Sequence, residues 1–214
     1  MDSLKIKQWI KRYFVLLCMV ISVVLIVIAT LLYPGGSIFD KNAVGFHWTK
    51  NFISNLFAAK AINGADNPAR IWAIIGMAFQ SVGDGIFFIH MAKKIPAKQA
   101  VAVLRIVGIS NMLFSFLIVT PLHDMMVTMS STLFLIGLFY VTVCMFKTKL
   151  HLFKYCCIVA LLIFYYSLYL YGSGNWVLLA IMQKVSFIVS ILLVIGLEYF
   201  TKAEDFKYIK PSEK

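Results

Sequence analysis

Six apolar runs, each close to the length of a membrane-crossing helix, recur along the chain at 13–33, 71–91, 101–120, 124–146, 155–171 and 176–200. A helix rises ~1.5 Å per residue, so about 20 apolar residues cover the hydrocarbon core of a bilayer. Open strands there would leave backbone groups unpaired, so the runs must be helices. Breakers or charges separate them: "YPGG", "KKIPAK", "PLH", "KTKLHLFK" and "GSGN". The expected fold is therefore all-α, a single six-transmembrane-helix bundle over 13–200. Short tails flank it, 1–12 and 201–214, and six crossings leave both on one side.

Composition agrees. Of 214 residues, 61% are hydrophobic and only 14% charged, against about 25% charged in soluble domains. A chain this short must keep much of its surface wet if it is soluble, so a buried core does not account for the deficit. The net charge of +11 invites a nucleic-acid reading, which the distribution of the basic residues argues against. Lys5, Lys7, Lys11 and Arg12 precede the first span. Lys93, Lys94 and Lys98 fill the second connection, Lys147, Lys149 and Lys154 the fourth, and Lys202, Lys207, Lys210 and Lys214 the C-terminal tail. The third and fifth connections have none. That alternation marks cytoplasmic loops and puts both termini in the cytoplasm, with no nucleic-acid partner. Only the long outer loop, 34–70, departs from it, with Lys41, Lys50, Lys60 and Arg70. The first span is too long for a cleaved signal peptide and reads as a retained anchor. Cys18, Cys144, Cys156 and Cys157 fall toward the cytoplasmic ends of their spans, where thiols stay reduced.

Within the outer loop, "HWTKNFISNLFAAK" places Trp48, Phe52 and Leu56 four residues apart, with Ile53 and Phe57 beside them. Lys50, Asn51 and Ser54 fall opposite. This spacing predicts an amphipathic helix, at the outer surface or tucked over the bundle as a lid. Asn67 and Pro68 supply a cap and a first-turn proline for the second span.

Ionisable and polar groups in lipid need partners or water. Toward the cytoplasmic side, Asp84 and Arg105 lie on spans joined by a short hairpin and are expected to form a structural ion pair. His90 is turned to another face than Asp84 and is expected to be solvated. Toward the outer side, Lys184 falls eight residues into the last span, with Gln80, Asn111, Thr128 and Ser131 at comparable depth. Asp124, Thr128 and Ser131 recur with helical spacing and predict one polar stripe, topped by His123. Lys184 is expected to face inward and to answer Asp124. Tyr165, Tyr166 and Tyr169 are expected in the aromatic belt with Tyr33, Trp72 and Trp176.

The chain resembles six-helix bacterial membrane proteins of the domain-of-unknown-function family nine-nine-eight, distant relatives of the Frag/DRAM/Sfk proteins. The resemblance rests on "NFISNLF" in the loop, similar to an Ile-Ser-Asp-Leu-Gly pattern, on His123 opening the fourth span, and on "MQK" in the last, similar to a Gln-Arg pair. Asn55, Phe57 and Lys184 stand where that pattern has aspartate, glycine and arginine. It implies a multi-pass protein of a bacterial cytoplasmic membrane, with lipid handling as an analogy.

The expected function is the binding of a lipid or other amphiphile in an outward-facing polar pocket. Lys184, Gln183, Asp124, His123, Asn111, Gln80, Thr128 and Ser131 would line it, with an anionic headgroup against Lys184, Gln183 and His123 and membrane lipids as partners. An accessory subunit with purely structural polar groups is the alternative. A metal-dependent hydrolase built on His47, His123 and Asp124 is a further one, which the histidine spacing does little to support. No metal or cofactor is otherwise expected.

Overall fold

The structure is a computed structural model that describes residues 3–209. Lys210 and Lys214 of the expected C-terminal tail lie outside the described residues, as does the side chain of Lys5. Six helices follow in order: α1 (Ser3–Leu32), α2 (Ala69–Lys94), α3 (Lys98–Leu117), α4 (His123–Phe146), α5 (His151–Ser173) and α6 (Trp176–Phe200). Each is long and apolar enough to cross a membrane. The chain is a multi-pass, all-α membrane protein. One end of the bundle carries residues 33–68 and is called the loop end. The other carries Ser3 and Ile209, the first and last described residues.

The basic N-terminal tail is helical, where a separate tail was expected. Lysine, arginine and glutamine favour helix and no glycine or proline interrupts them, so α1 already begins at Ser3. The junction survives as a kink at Tyr13 (φ −105°, ψ 15°). The Leu16 amide beyond it donates to the Tyr199 hydroxyl on α6 at 3.0 Å.

Small residues set the packing. A Cβ on Gly85 of α2 would stand 2.7 Å from the Gly108 carbonyl of α3, and one on Gly108 would stand 2.7 Å from the Gly85 carbonyl. The two backbones therefore touch, as helices in lipid do where side chains are absent. Around this crossing lies the main core, with Phe88, Met91, Leu104, Val141, Val194 and Leu197 buried. By contrast α5 runs along the outside, with only Cys157, Ala160 and Leu170 buried. All four cysteines are free thiols. Tyr165, Tyr166 and Tyr169 point outward and are exposed.

At the terminal end, His90 is partly exposed but is paired, where a free solvated imidazole was expected. Its Nδ1 lies 2.6 Å from Oε1 of Glu198, a residue that sequence reasoning passed over at the end of a span. The Lys94 ammonium donates to the carbonyls of Leu197 (3.2 Å) and Glu198 (2.6 Å), satisfying last-turn acceptors of α6. A short 3-10 turn, Ala203–Phe206, then folds the chain back and buries Phe206 and Ile209 in the main core.

The loop does not form the expected amphipathic helix. Only a five-residue 3-10 turn, Ile53–Phe57, is helical. The asparagines in the stretch compete for the backbone groups a helix would use. Asn51 Oδ1 accepts the His47 amide at 2.9 Å, Asn51 Nδ2 donates to the Gly36 carbonyl at 2.7 Å, and Asn55 Oδ1 accepts the Phe52 amide at 2.7 Å. The turn is tucked over the bundle, where Ile53, Leu56 and Phe57 share a second core with Ile26, Ala29 and Ala73, while Trp48 stays exposed. Gly36 (φ +82°) packs against the Ile62–Asn63 backbone in a conformation and space that exclude a side chain. Asn67 caps α2 as expected: its Oδ1 accepts the Ala69 amide at 3.2 Å, and its amide nitrogen holds the Leu56 and Ala58 carbonyls.

Candidate functional site: a cleft beneath the loop

A cleft of about 440 Å³ lies under the Phe52–Phe57 segment, between α2, α3, α4, α5 and α6. That volume is in the range of small-molecule sites. His123, Asp124 and Trp176 stand at its loop end, and Met77, Ile118, Phe134, Phe164 and Phe187 contribute apolar wall. Its deep polar groups are Gln80 and Asp84 of α2 and Ser190 of α6. Counted from Ala69, Asp84 lies ~22 Å along α2, beyond the middle of the span.

Most of the residues expected from the sequence meet here. Gln80, Asn111, His123, Asp124, Thr128, Ser131 and Gln183 all line the cleft. Three expectations need correction.

Lys184 faces inward, as anticipated, and is only 7% exposed, yet it is not part of the lining. Its ammonium donates to the Asn51 carbonyl in the loop and, at 2.5 Å, to the Ala180 carbonyl one turn back on α6. The Phe46 ring lies 5.8 Å away. Two carbonyl dipoles and an aromatic face do the work expected of Asp124. Beside it, Gln183 Oε1 accepts the Ile53 amide at 2.7 Å. The pair clamps the loop onto α6.

Asp124 is at the rim with a side chain 91% exposed, paired with His123 Nδ1 at 2.9 Å. Solvent can carry that charge, and no buried cation is needed. The stripe below it is also shallower than expected, because the Thr128 hydroxyl is spent on the Asp124 carbonyl at 2.9 Å. The buried α4 hydroxyl that lines the cleft belongs to Ser130. Its Oγ donates to Asn111 Oδ1 at 2.9 Å and lies 2.6 Å from Ser115 Oγ.

The Asp84–Arg105 pair does not form. Leu104, Gly108 and Asn111 make the buried face of α3, and Arg105, one position and about 100° further round, is exposed. The hairpin brought the right ends together but not the right faces. Asp84 lines the cleft. Its Oδ2 accepts from Gln80 Nε2 at 3.1 Å, while Asp84 Oδ1, Gln80 Oε1 and, near the rim, His123 Nε2 are buried without a hydrogen-bond partner.

The hydrolase constellation is not assembled. His47 is exposed in the loop, and among the described residues no three histidine, cysteine or acidic side chains gather as a metal site would require.

Sequence reasoning favoured the ion pair over a cleft role for Asp84, and it missed Ser115 and Ser130, and Ser167 on α5, which lies 3.0 Å from Ser186 on α6. Serine four residues after an intramembrane asparagine, as in Asn111–Ser115, was a usable signal.

Fold and site together define a class: a six-helix membrane protein with a loop-capped, aromatic-walled cleft and unpartnered polar groups along it. Compared with protein-family models, curated proteins and solved structures, the chain matches none.

Proposed function

We propose that this protein binds a lipid or other amphiphile in the cleft, with the loop end facing outward and both termini in the cytoplasm. One observation carries the reading. Hydrocarbon-compatible walls enclose buried polar atoms, on Asp84, Gln80 and His123, that lack hydrogen-bond partners among the described residues. Buried polar groups are nearly always satisfied, and a ligand bearing both a tail and hydrogen-bonding groups satisfies these. The orientation rests on the alternation of lysine and arginine between connections. The loop acts as the lid of the cleft, held by the Lys184–Asn51 and Gln183–Ile53 bonds. We extend the proposal to kinship with the domain-of-unknown-function family: the loop motif and the "QK" pair that carry the resemblance bond to each other. The cytoplasmic membrane of a bacterium is the location that goes with it.

Mass spectrometry of protein extracted with its native lipid tests the reading. An amphiphile enriched over bulk lipid is expected, and Ser186→Phe, which fills the cleft from α6, should remove it. Lipid content identical to bulk, and unaltered by the substitution, would count against a binding role.

A further inference from the structure

We infer that the group received deep in the cleft is a protonated amine, so that the ligand is a lipophilic ammonium ion. This rests on the cleft being a binding site, and it reverses the anionic headgroup expected from the sequence.

The cleft contains a buried carboxyl group, and among the described residues no cation lies beside it. Asp84 is 7% exposed and Gln80 5%, both line the cleft, and each retains an acceptor oxygen without a donor. Gln80 has already turned its amide NH₂ to Asp84 Oδ2, so its free atom is the carbonyl oxygen. Both unfilled positions therefore ask for N–H or O–H donors. The two basic residues nearest in sequence logic are elsewhere: Arg105 is exposed on α3, and the Lys184 amine is committed to the Asn51 and Ala180 carbonyls. A phosphate or carboxylate brought to this position would meet only acceptor oxygens at the two unfilled positions, and would repel Asp84 strongly whenever it ionises in a medium of low dielectric constant. A hydroxyl would fill one acceptor and leave the charge unanswered. A primary ammonium supplies three donors and the countercharge. Its alkyl part would lie among Phe134, Phe164 and Phe187, rings that also favour a cation at their faces.

Ammonium of this kind reaches a membrane either as a free alkylamine or as an aminoalkyl lipid headgroup, and the probes separate the two. Radiolabelled dodecylamine is titrated onto the purified full-length protein in phosphatidylcholine nanodiscs, with dodecylphosphoethanolamine, dodecanol and dodecanoate as competitors. Saturable dodecylamine binding is expected, weakened by about tenfold or more in Asp84→Asn through loss of a charge-assisted hydrogen bond and retained in Asp84→Glu. Dodecanoate should compete least. Competition by dodecylphosphoethanolamine identifies the lipid-headgroup source, and its failure identifies the free amine; either outcome supports an ammonium ligand. Unchanged dodecylamine affinity in a folded Asp84→Asn protein, or tighter binding of dodecanoate than of the amine, overturns the inference. If in that case any probe still binds saturably and is lost in Ser186→Phe, the cleft remains a binding site. If no probe binds, both readings fall.

Discussion

The ammonium of Lys184 ends on the backbone carbonyl of Asn51, 133 positions earlier in the chain. A charge inside an apolar run thus serves to hold a loop down, and it is tolerable because carbonyl dipoles and the Phe46 ring replace the water it lost. The other intramembrane charge, on Asp84, has no such arrangement and lines an open cleft. One charge is structural and the other is available.

Lys184→Met keeps the stem and removes the donors. It should destabilise the loop by about 2 kcal/mol, the loss of a charge-assisted hydrogen bond. Tryptic cleavage after Lys50 should accelerate several-fold. A cleavage rate equal to that of the parent protein would remove the clamp from the account.

Asp84→Asn should raise the thermal midpoint of the ligand-free protein. It preserves shape and the acceptor for Gln80 Nε2 and removes the cost of ionising a buried, unpaired carboxyl group, a change worth about 1–3 kcal/mol. Residues poised for a ligand commonly reduce stability in this way. Thermal unfolding in detergent, in the absence of added amphiphile, checks the sign.

Gly108→Ala should lower stability by about 1–3 kcal/mol, because its Cβ meets the Gly85 carbonyl and forces α2 and α3 apart. Gly172→Ala, where nothing lies within 4 Å, should be close to neutral. Equal midpoints for the two variants would show that the backbone contact at Gly85 and Gly108 is not tight.

Glu198→Gln should cost about 1 kcal/mol, less than a fully buried pair, because the His90 side chain is 33% exposed and water screens it. A double-mutant cycle with His90→Gln should return a positive coupling energy. Additive single effects would mean that the 2.6 Å contact contributes nothing net.

The proposed orientation predicts opposite labelling of two single cysteines placed in a cysteine-free background. A membrane-impermeant maleimide applied to intact cells should modify Lys41→Cys in the loop and spare Lys147→Cys between α4 and α5. The reverse pattern would invert the topology and turn the cleft toward the cytoplasm.

How much of this was legible beforehand depends on the range of the interaction concerned. Spans were legible because each apolar run must satisfy its backbone within itself, a condition local to some twenty residues. Asn67 as the cap of α2 was legible for the same reason. The loop was misjudged because apolar spacing spoke for a helix while Asn51 and Asn55, whose side chains bond nearby backbone, spoke more strongly against it. Rotation was the harder variable. Depth along a helix follows from counting, which set Gln80, Asn111, Thr128 and Ser131 at one level, and all four line the cleft. The direction of a side chain around the axis depends on which neighbours pack where, and one residue of difference is about 100°. That is why Arg105 turned outward while Leu104 turned in, and why Ser130 rather than Thr128 reached Asn111. The sequence by itself determined that this chain crosses a membrane six times as helices, since lipid permits no other way to pair the backbone. Only the tertiary structure decided which charge is spent and which is left free, because that depends on a loop folding back over a helix more than a hundred residues away.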